Sequence, residues 1–147
     1  MTTTALRSSV PASLPASASK GLRIGLWVAQ SLLALAFGMA GATKLGTPIA
    51  ELAKTMPWVN DMPAALVRFI GAAEVTGAIG LLAPALTRIQ PKLTALAGAG
   101  LATVMVLASV LHVTRGELGM LPVNLVLGGL SAFIAWGRAY RAPILPR

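Results

Sequence analysis

Glu74 is the residue in this sequence best placed to do chemistry. It stands near the middle of an apolar run from about Ala64 to Leu86 that is otherwise interrupted only by Arg68. A bare carboxylate at the centre of a bilayer costs at least about 2.5 kcal/mol, so such a group is either protonated or turned inward to a partner. Gly71 and Gly77, three residues to either side, leave room at its face for a neighbouring helix or a ligand. Two readings stand side by side: a carboxyl that handles protons or anchors a ligand, and a neutral acid that joins helices by hydrogen bonds.

Four more polar residues belong with it. Arg68 lies six residues before Glu74, which at 100° per residue is about 120° around the helix, so the two do not share a face. Its long stem reads first as snorkelling to the interface and second as part of a site. Lys44 ends an apolar run, where a cation complements the helix dipole. His112 closes another run; it reads first as an interfacial residue and second as a ligand. Asn124 lies about one turn inside a further helix, where an amide in lipid must find a partner. Lys44, Arg68, Glu74, His112 and Asn124 come from four predicted helices and all fall in the predicted outer half, whereas the inner half is nearly pure Ala, Leu, Val, Gly and Ile. The expectation is an outward-opening polar pocket with these five as its ligand-binding residues.

Other chemistry is excluded or unsupported. With no cysteine and a single histidine, disulfides, thiolate sites, a protein-only metal site and bis-histidine haem are implausible. No GxSxG, P-loop or dinucleotide fingerprint occurs, so no catalytic residue is assigned and no cofactor is evident from the residues.

The elements that must position these residues are membrane helices. Of 147 residues, 56% are hydrophobic and only 11% charged, with a mean hydropathy of +0.78; soluble domains carry roughly 25% charged residues. The net charge of +8 does not point to nucleic acid, because Lys and Arg flank apolar runs instead of clustering on one face. Ile24 to Thr43 is 20 residues without a charge, long enough to cross the hydrocarbon core and too long for a signal-peptide h-region. The second span is the Ala64–Leu86 run, with Asp61 predicted to cap it and Pro63 in its first turn. The third runs from about Leu93 to Val113 and is opened by Pro91. The fourth runs from about Met120 to Gly137, with Pro122 in its first turn. Between the first two spans, Thr47-Pro48 reads as N-cap and first-turn proline. Ile49, Leu52, Ala53 and Met56 then fall at i, i+3, i+4 and i+7, a short amphipathic helix in the interface or capping the bundle; an irregular loop touching lipid is the rival. The expected fold is therefore all-α, a polytopic four-transmembrane-helix bundle with a short amphipathic helix in its first outer loop. Residues 1–20, rich in Ser and Thr and free of acid, form a predicted disordered cytoplasmic tail. Residues 21–139 form the membrane domain and 140–147 a C-terminal tail.

Charge orients the bundle. Arg7, Lys20, Arg23, Arg88, Lys92, Arg138, Arg141 and Arg147 fall on one side with no acid among them, while Lys44, Lys54 and Arg115 are balanced on the other by Glu51, Asp61 and Glu117. The positive-inside rule predicts cytoplasmic termini. Trp27, Trp136 and Tyr140 fall near that boundary and Trp58 near the outer one, as interfacial aromatics. Small residues at four-residue spacing mark expected packing faces: Ala34, Gly38 and Ala42; Ala72, Thr76 and Gly80; Ala95, Ala99 and Thr103.

With these residues in view, the chain resembles the DoxX-like family of small four-helix membrane proteins from about Trp27 to Gly137. The carriers are Ala40-Gly41-Ala42-Thr43-Lys44-Leu45, Met56-Pro57-Trp58-Val59, Arg68-Phe69-Ile70-Gly71-Ala72-Ala73-Glu74, Gly77-Ala78-Ile79-Gly80, His112, Arg115-Gly116-Glu117 and Leu121-Pro122-Val123-Asn124. The resemblance implies a multi-pass protein of the bacterial plasma membrane, with Lys44, Arg68, Glu74, His112 and Asn124 at the family's marked positions. Some relatives are subunits of membrane thiosulfate:quinone oxidoreductases or partners of envelope redox enzymes, and animal relatives are receptor-assembly chaperones. The partners implied are the bilayer and a membrane or redox protein, and the cofactor class admitted is a quinone. Three functions are weighed: an accessory or interaction subunit, which is favoured; a quinone- or amphiphile-binding oxidoreductase subunit; and a small proton-coupled transporter, which at this size would need to form a homo-oligomer.

Overall fold

The computed structural model describes residues 18–147, and the predicted tail lies outside them except for its last three residues. Four long helices carry the chain: α1 (Lys20–Gly46), α3 (Ala64–Thr87), α4 (Lys92–Thr114) and α5 (Leu121–Trp136), with a short α2 (Ile49–Thr55) between the first two. The stretch Leu118–Arg141, which joins a 3-10 turn, α5 and a π-helical turn at Gly137–Arg141, completes a fourth segment long enough to cross a membrane. α1 packs mainly on α3, α3 on α4 and α4 on α5, and a thinner α1–α5 seam closes the ring. Successive spans run antiparallel, so both ends of the described chain lie at one face, the terminal face. The α1–α3 and α4–α5 connections lie at the other, distal face.

The bundle is apolar outside and partly polar within. Leu32, Leu35, Phe69, Ile79, Leu96, Leu107, Leu125 and Val126 are exposed, whereas Gln30, Lys44, Glu74, Thr94, Asn124, Ser131 and Arg138 are buried. In water this arrangement would be unstable; in lipid it is the rule, because polar groups must find partners inside the protein. A central cluster of Leu26, Leu33, Phe37, Leu81, Leu101, Met105 and Ile134 fills the bundle axis. A second cluster, Leu52, Trp58, Val59 and Val67, seals the distal end.

α2 buries the predicted stripe: Leu52 is enclosed, with Ile49, Ala53 and Met56 packed around its cluster, while Glu51 and Lys54 pair on the exposed side at 2.8 Å. The helix caps the bundle. Several local expectations change. Pro48, not Thr47, occupies the N-cap of α2. Asp61 does not cap α3, whose N-cap is Pro63 without any side-chain hydrogen bond; its carboxylate instead accepts from Arg115. Trp58 is buried beneath the distal loop, not displayed at an interface. The small-residue stripes are partly displaced: Ala42, Ala72, Thr76, Ala99 and Thr103 face outward, and the close approaches are made by Gly41, Gly71, Gly77, Gly98 and, of the expected set, Gly80. A four-residue stripe drifts around the helix, so spacing alone does not say which members reach the neighbour. Finally, the inner half is not purely apolar, since it holds the buried Gln30, Thr94, Ser131 and Arg138.

Candidate functional site

The site begins at the crossing of α1 and α3. Gly41 and Gly71 sit in contact there: a Cβ on Gly41 would lie 2.6 Å from the Gly71 carbonyl oxygen, and one on Gly71 would lie 2.9 Å from that of Gly41. Lys44 and Glu74 each stand three residues further along their own helix, on opposite sides of the contact because the helices are antiparallel, with Lys44 beside Gly71. The backbone approach brings the Lys44 ammonium to both carboxylate oxygens, 2.8 Å from Oε2 and 3.0 Å from Oε1. Both residues are buried, at 7% and 4% exposure. Lys44 is therefore the partner that Glu74 requires, and its role is more specific than closing a helix dipole. Of two ions buried together, neither carries an uncompensated charge.

Arg68 does not snorkel. Its guanidinium donates to the carbonyl oxygen of Lys44, one of the carbonyls that the end of α1 leaves without an intrahelical donor. It thus braces the backbone that carries Lys44 and does not line the cavity described next.

A cavity of about 780 Å³ opens beside the ion pair. Phe37, Trp58, Phe69, Met105 and Leu111 are among its apolar walls, and Lys44, Glu74, His112, Glu117 and Asn124 are among its polar ones. Four of the five predicted site residues thus meet in one place. His112 is held by local folding: α4 ends at Thr114, Gly116 adopts φ 73°, and the Glu117 amide donates back to the His112 carbonyl at 2.8 Å while that of Gly116 donates to Val113. This Schellman-type turn needs a residue free of Cβ at the left-handed position. It folds Glu117 over the helix end, and His112 Nδ1 lies 2.7 Å from Glu117 Oε2. Arg115 donates from Nε to the other oxygen at 2.9 Å and from Nη1 to Asp61, tying the two distal loops together. The bonds from His112 and then Arg115 hold the Glu117 carboxyl below its ordinary range. Those to Asp61 and then Glu117 hold Arg115 further above its own.

Asn124 was expected to need a partner. Its side chain is buried against the cavity, yet its Nδ2 has none among the described residues. Sequence reasoning missed Glu117 and Trp58 as wall residues. The Arg115-Gly116-Glu117 string held the signal for the first, because a glycine just past a helix end reverses the chain. For Trp58, adjacency to Pro57 gave no clue to burial. No cluster of three or more His, Asp or Glu suited to a metal exists among the described residues.

The arrangement can bind. It is a mostly apolar chamber among the four spanning helices, with a few polar groups converging on one end. The DoxX-like family model matches residues 28–134, which contain every residue of the site. The chain belongs to the DoxX-like family. No curated protein and no solved structure matches it. In this DoxX-like protein, then, the carboxylate of α3, the cation ending α1, the histidine of α4 and the amide of α5 are the polar frame around a cavity between the helices.

Proposed function

We propose that this DoxX-like protein is an accessory or interaction subunit of a membrane complex, and that its distal cavity is the recognition element, taking an amphiphilic molecule with a polar head and an apolar body. The observation that carries the reading is the cavity itself: apolar walls end in Lys44, Glu74, His112 and the amide of Asn124, whose Nδ2 has no partner among the described residues. Small-molecule sites are typically apolar chambers with a few placed polar groups. The excess of Lys and Arg on the terminal side supports an orientation with both ends cytoplasmic and the cavity in the outer half of a bacterial plasma membrane.

A second reading, a quinone-binding subunit of an oxidoreductase, is favoured by the two proton-bearing pairs on the cavity wall, Lys44–Glu74 and His112–Glu117. The redox partner would supply the electrons. Proton-coupled transport fits less well, because Glu74 is tied to Lys44 and no other acid lies within a span.

Native mass spectrometry of the full chain, extracted gently from its own membrane, tests the reading. An added mass of a small amphiphile that weakens in Asn124→Leu and Glu74→Gln supports it. A quinone mass selects the second reading, and a protein partner in fixed ratio without a small ligand keeps the accessory role but removes the cavity from it. Bare protein under conditions that preserve lipid adducts would sink both. Orientation is tested separately: alkaline phosphatase fused after Lys54 should be active and after Arg147 inactive.

A further inference from the structure

The terminal face carries a second cavity, of about 780 Å³, far along the bundle from the first. Arg23, Arg88, Arg138 and Arg141 all line it, and all four acids of the chain lie elsewhere, at Glu51, Asp61, Glu74 and Glu117. Arg138 is the informative member. It is 6% exposed, and its hydrogen-bond partners are neutral: Nε donates to Gln30 Oε1 at 2.6 Å, Nη1 to the Ala142 carbonyl at 3.3 Å, and Nη2 has no partner among the described residues. Gln30 is itself fixed by donating to the Leu81 carbonyl at 2.6 Å, so α1, α3 and the π-helical turn are locked around this guanidinium. Trp27 lies against it, 5.1 Å from the ring centroid. A buried cation with only neutral partners is an uncompensated charge, the situation in which a bound anion gains most.

We propose that this cavity is a binding site for the phosphate headgroup of an anionic phospholipid. Arg138 supplies the field from the floor, while the exposed Arg23, Arg88 and Arg141 make the direct contacts, since guanidinium forks match phosphate oxygens in pairs. The position selects a lipid over a soluble phosphate. Leu86, Tyr140 and Leu145 line the same cavity with exposures of 64%, 78% and 75%, an apolar rim against which acyl chains lie while the headgroup enters. Arg141 stacks over Trp136 at 5.5 Å, which holds its charge at that boundary. Basic pockets at the ends of membrane helices are suited to this chemistry.

The test uses the full chain in nanodiscs of phosphatidylcholine containing phosphatidylglycerol, with retained lipid read by native mass spectrometry. Phosphatidylglycerol should be retained in preference to phosphatidylcholine, and Arg88→Gln or Arg141→Gln should each weaken that retention about five-fold, as expected for one interfacial charge. Lys92→Gln, on the same face but outside the cavity, should leave retention unchanged. An equal loss in Lys92→Gln would reduce the effect to diffuse surface charge and overturn the site, as would equal retention of the two lipids. Displacement of the lipid by millimolar inorganic phosphate would overturn the lipid as its natural occupant. Melting curves matching the parent identify variants whose losses are due to binding.

Discussion

Gly41 and Gly71 touch backbone to backbone where α1 crosses α3, and this contact lies one turn from the buried Lys44–Glu74 pair on both helices. The short side chain of Glu74 reaches Lys44 because no Cβ keeps the helices apart. A methyl at either glycine would have to push backbone, not a flexible side-chain tip. Gly71→Ala should therefore destabilise the detergent-solubilised protein by about 1–3 kcal/mol, the usual range for overpacking. Ala72→Val, one residue on and facing outward, should change its melting temperature little. Equal behaviour of the two would mean that the crossing is looser than its geometry.

The ion pair makes a second prediction. Removing one member leaves the other charged and buried, so Lys44→Met should cost about 3–5 kcal/mol. The double variant Lys44→Met/Glu74→Leu removes both charges and should recover most of the loss. A thermal melting cycle of the two single variants and the double variant measures the coupling; additive losses would mean that the two charges do not depend on one another.

Asn124 carries a prediction of opposite sign. Its Nδ2 is buried with no partner among the described residues, and an unsatisfied buried donor costs about 1–3 kcal/mol. Asn124→Leu should keep or raise the melting temperature while losing the amphiphile adduct. A variant that melts lower and keeps the adduct would assign the amide a structural role.

Acid should loosen the distal loops through Glu117. His112 and then Arg115 hold its carboxyl below the ordinary range in the fold. A depressed carboxyl pKa contributes stability that is complete above the unfolded value of about 4.3 and is lost as pH falls through the folded value. Between about pH 5 and pH 3 the melting-temperature difference between the parent and Glu117→Gln should thus shrink as pH falls. A difference that grows across that carboxyl range would contradict the pairing. Arg115→Gln, which removes the bridge to Asp61, should shrink the acid-sensitive part further.

The sequence by itself determined the four spans, the apolar stripe of α2 and the placement of Lys44, Arg68, Glu74, His112 and Asn124 toward one end. Those properties follow from lengths, periodicity and charge counts: 20 uncharged residues from Ile24 to Thr43 can only be a membrane helix, and Ile49, Leu52, Ala53 and Met56 share one face in any α-helix. Four of the five residues singled out for the pocket do line one cavity. What the sequence left open was who meets whom. Lys44 and Glu74 are thirty residues apart, and nothing local distinguishes a lysine that ends a helix in water from one turned into the bundle; the rotation of α1 against α3, set at Gly41 and Gly71, decided it. Arg68 looked free to snorkel because its angular distance from Glu74 was measured on one helix, whereas its acceptor is a carbonyl on another. The same holds for Gln30 and Arg138, 108 positions apart, each unremarkable alone. Helix formation and membrane insertion depend on local composition, which one strand of letters carries. The pairing of buried charges depends on helix rotation and depth, and only tertiary packing sets those.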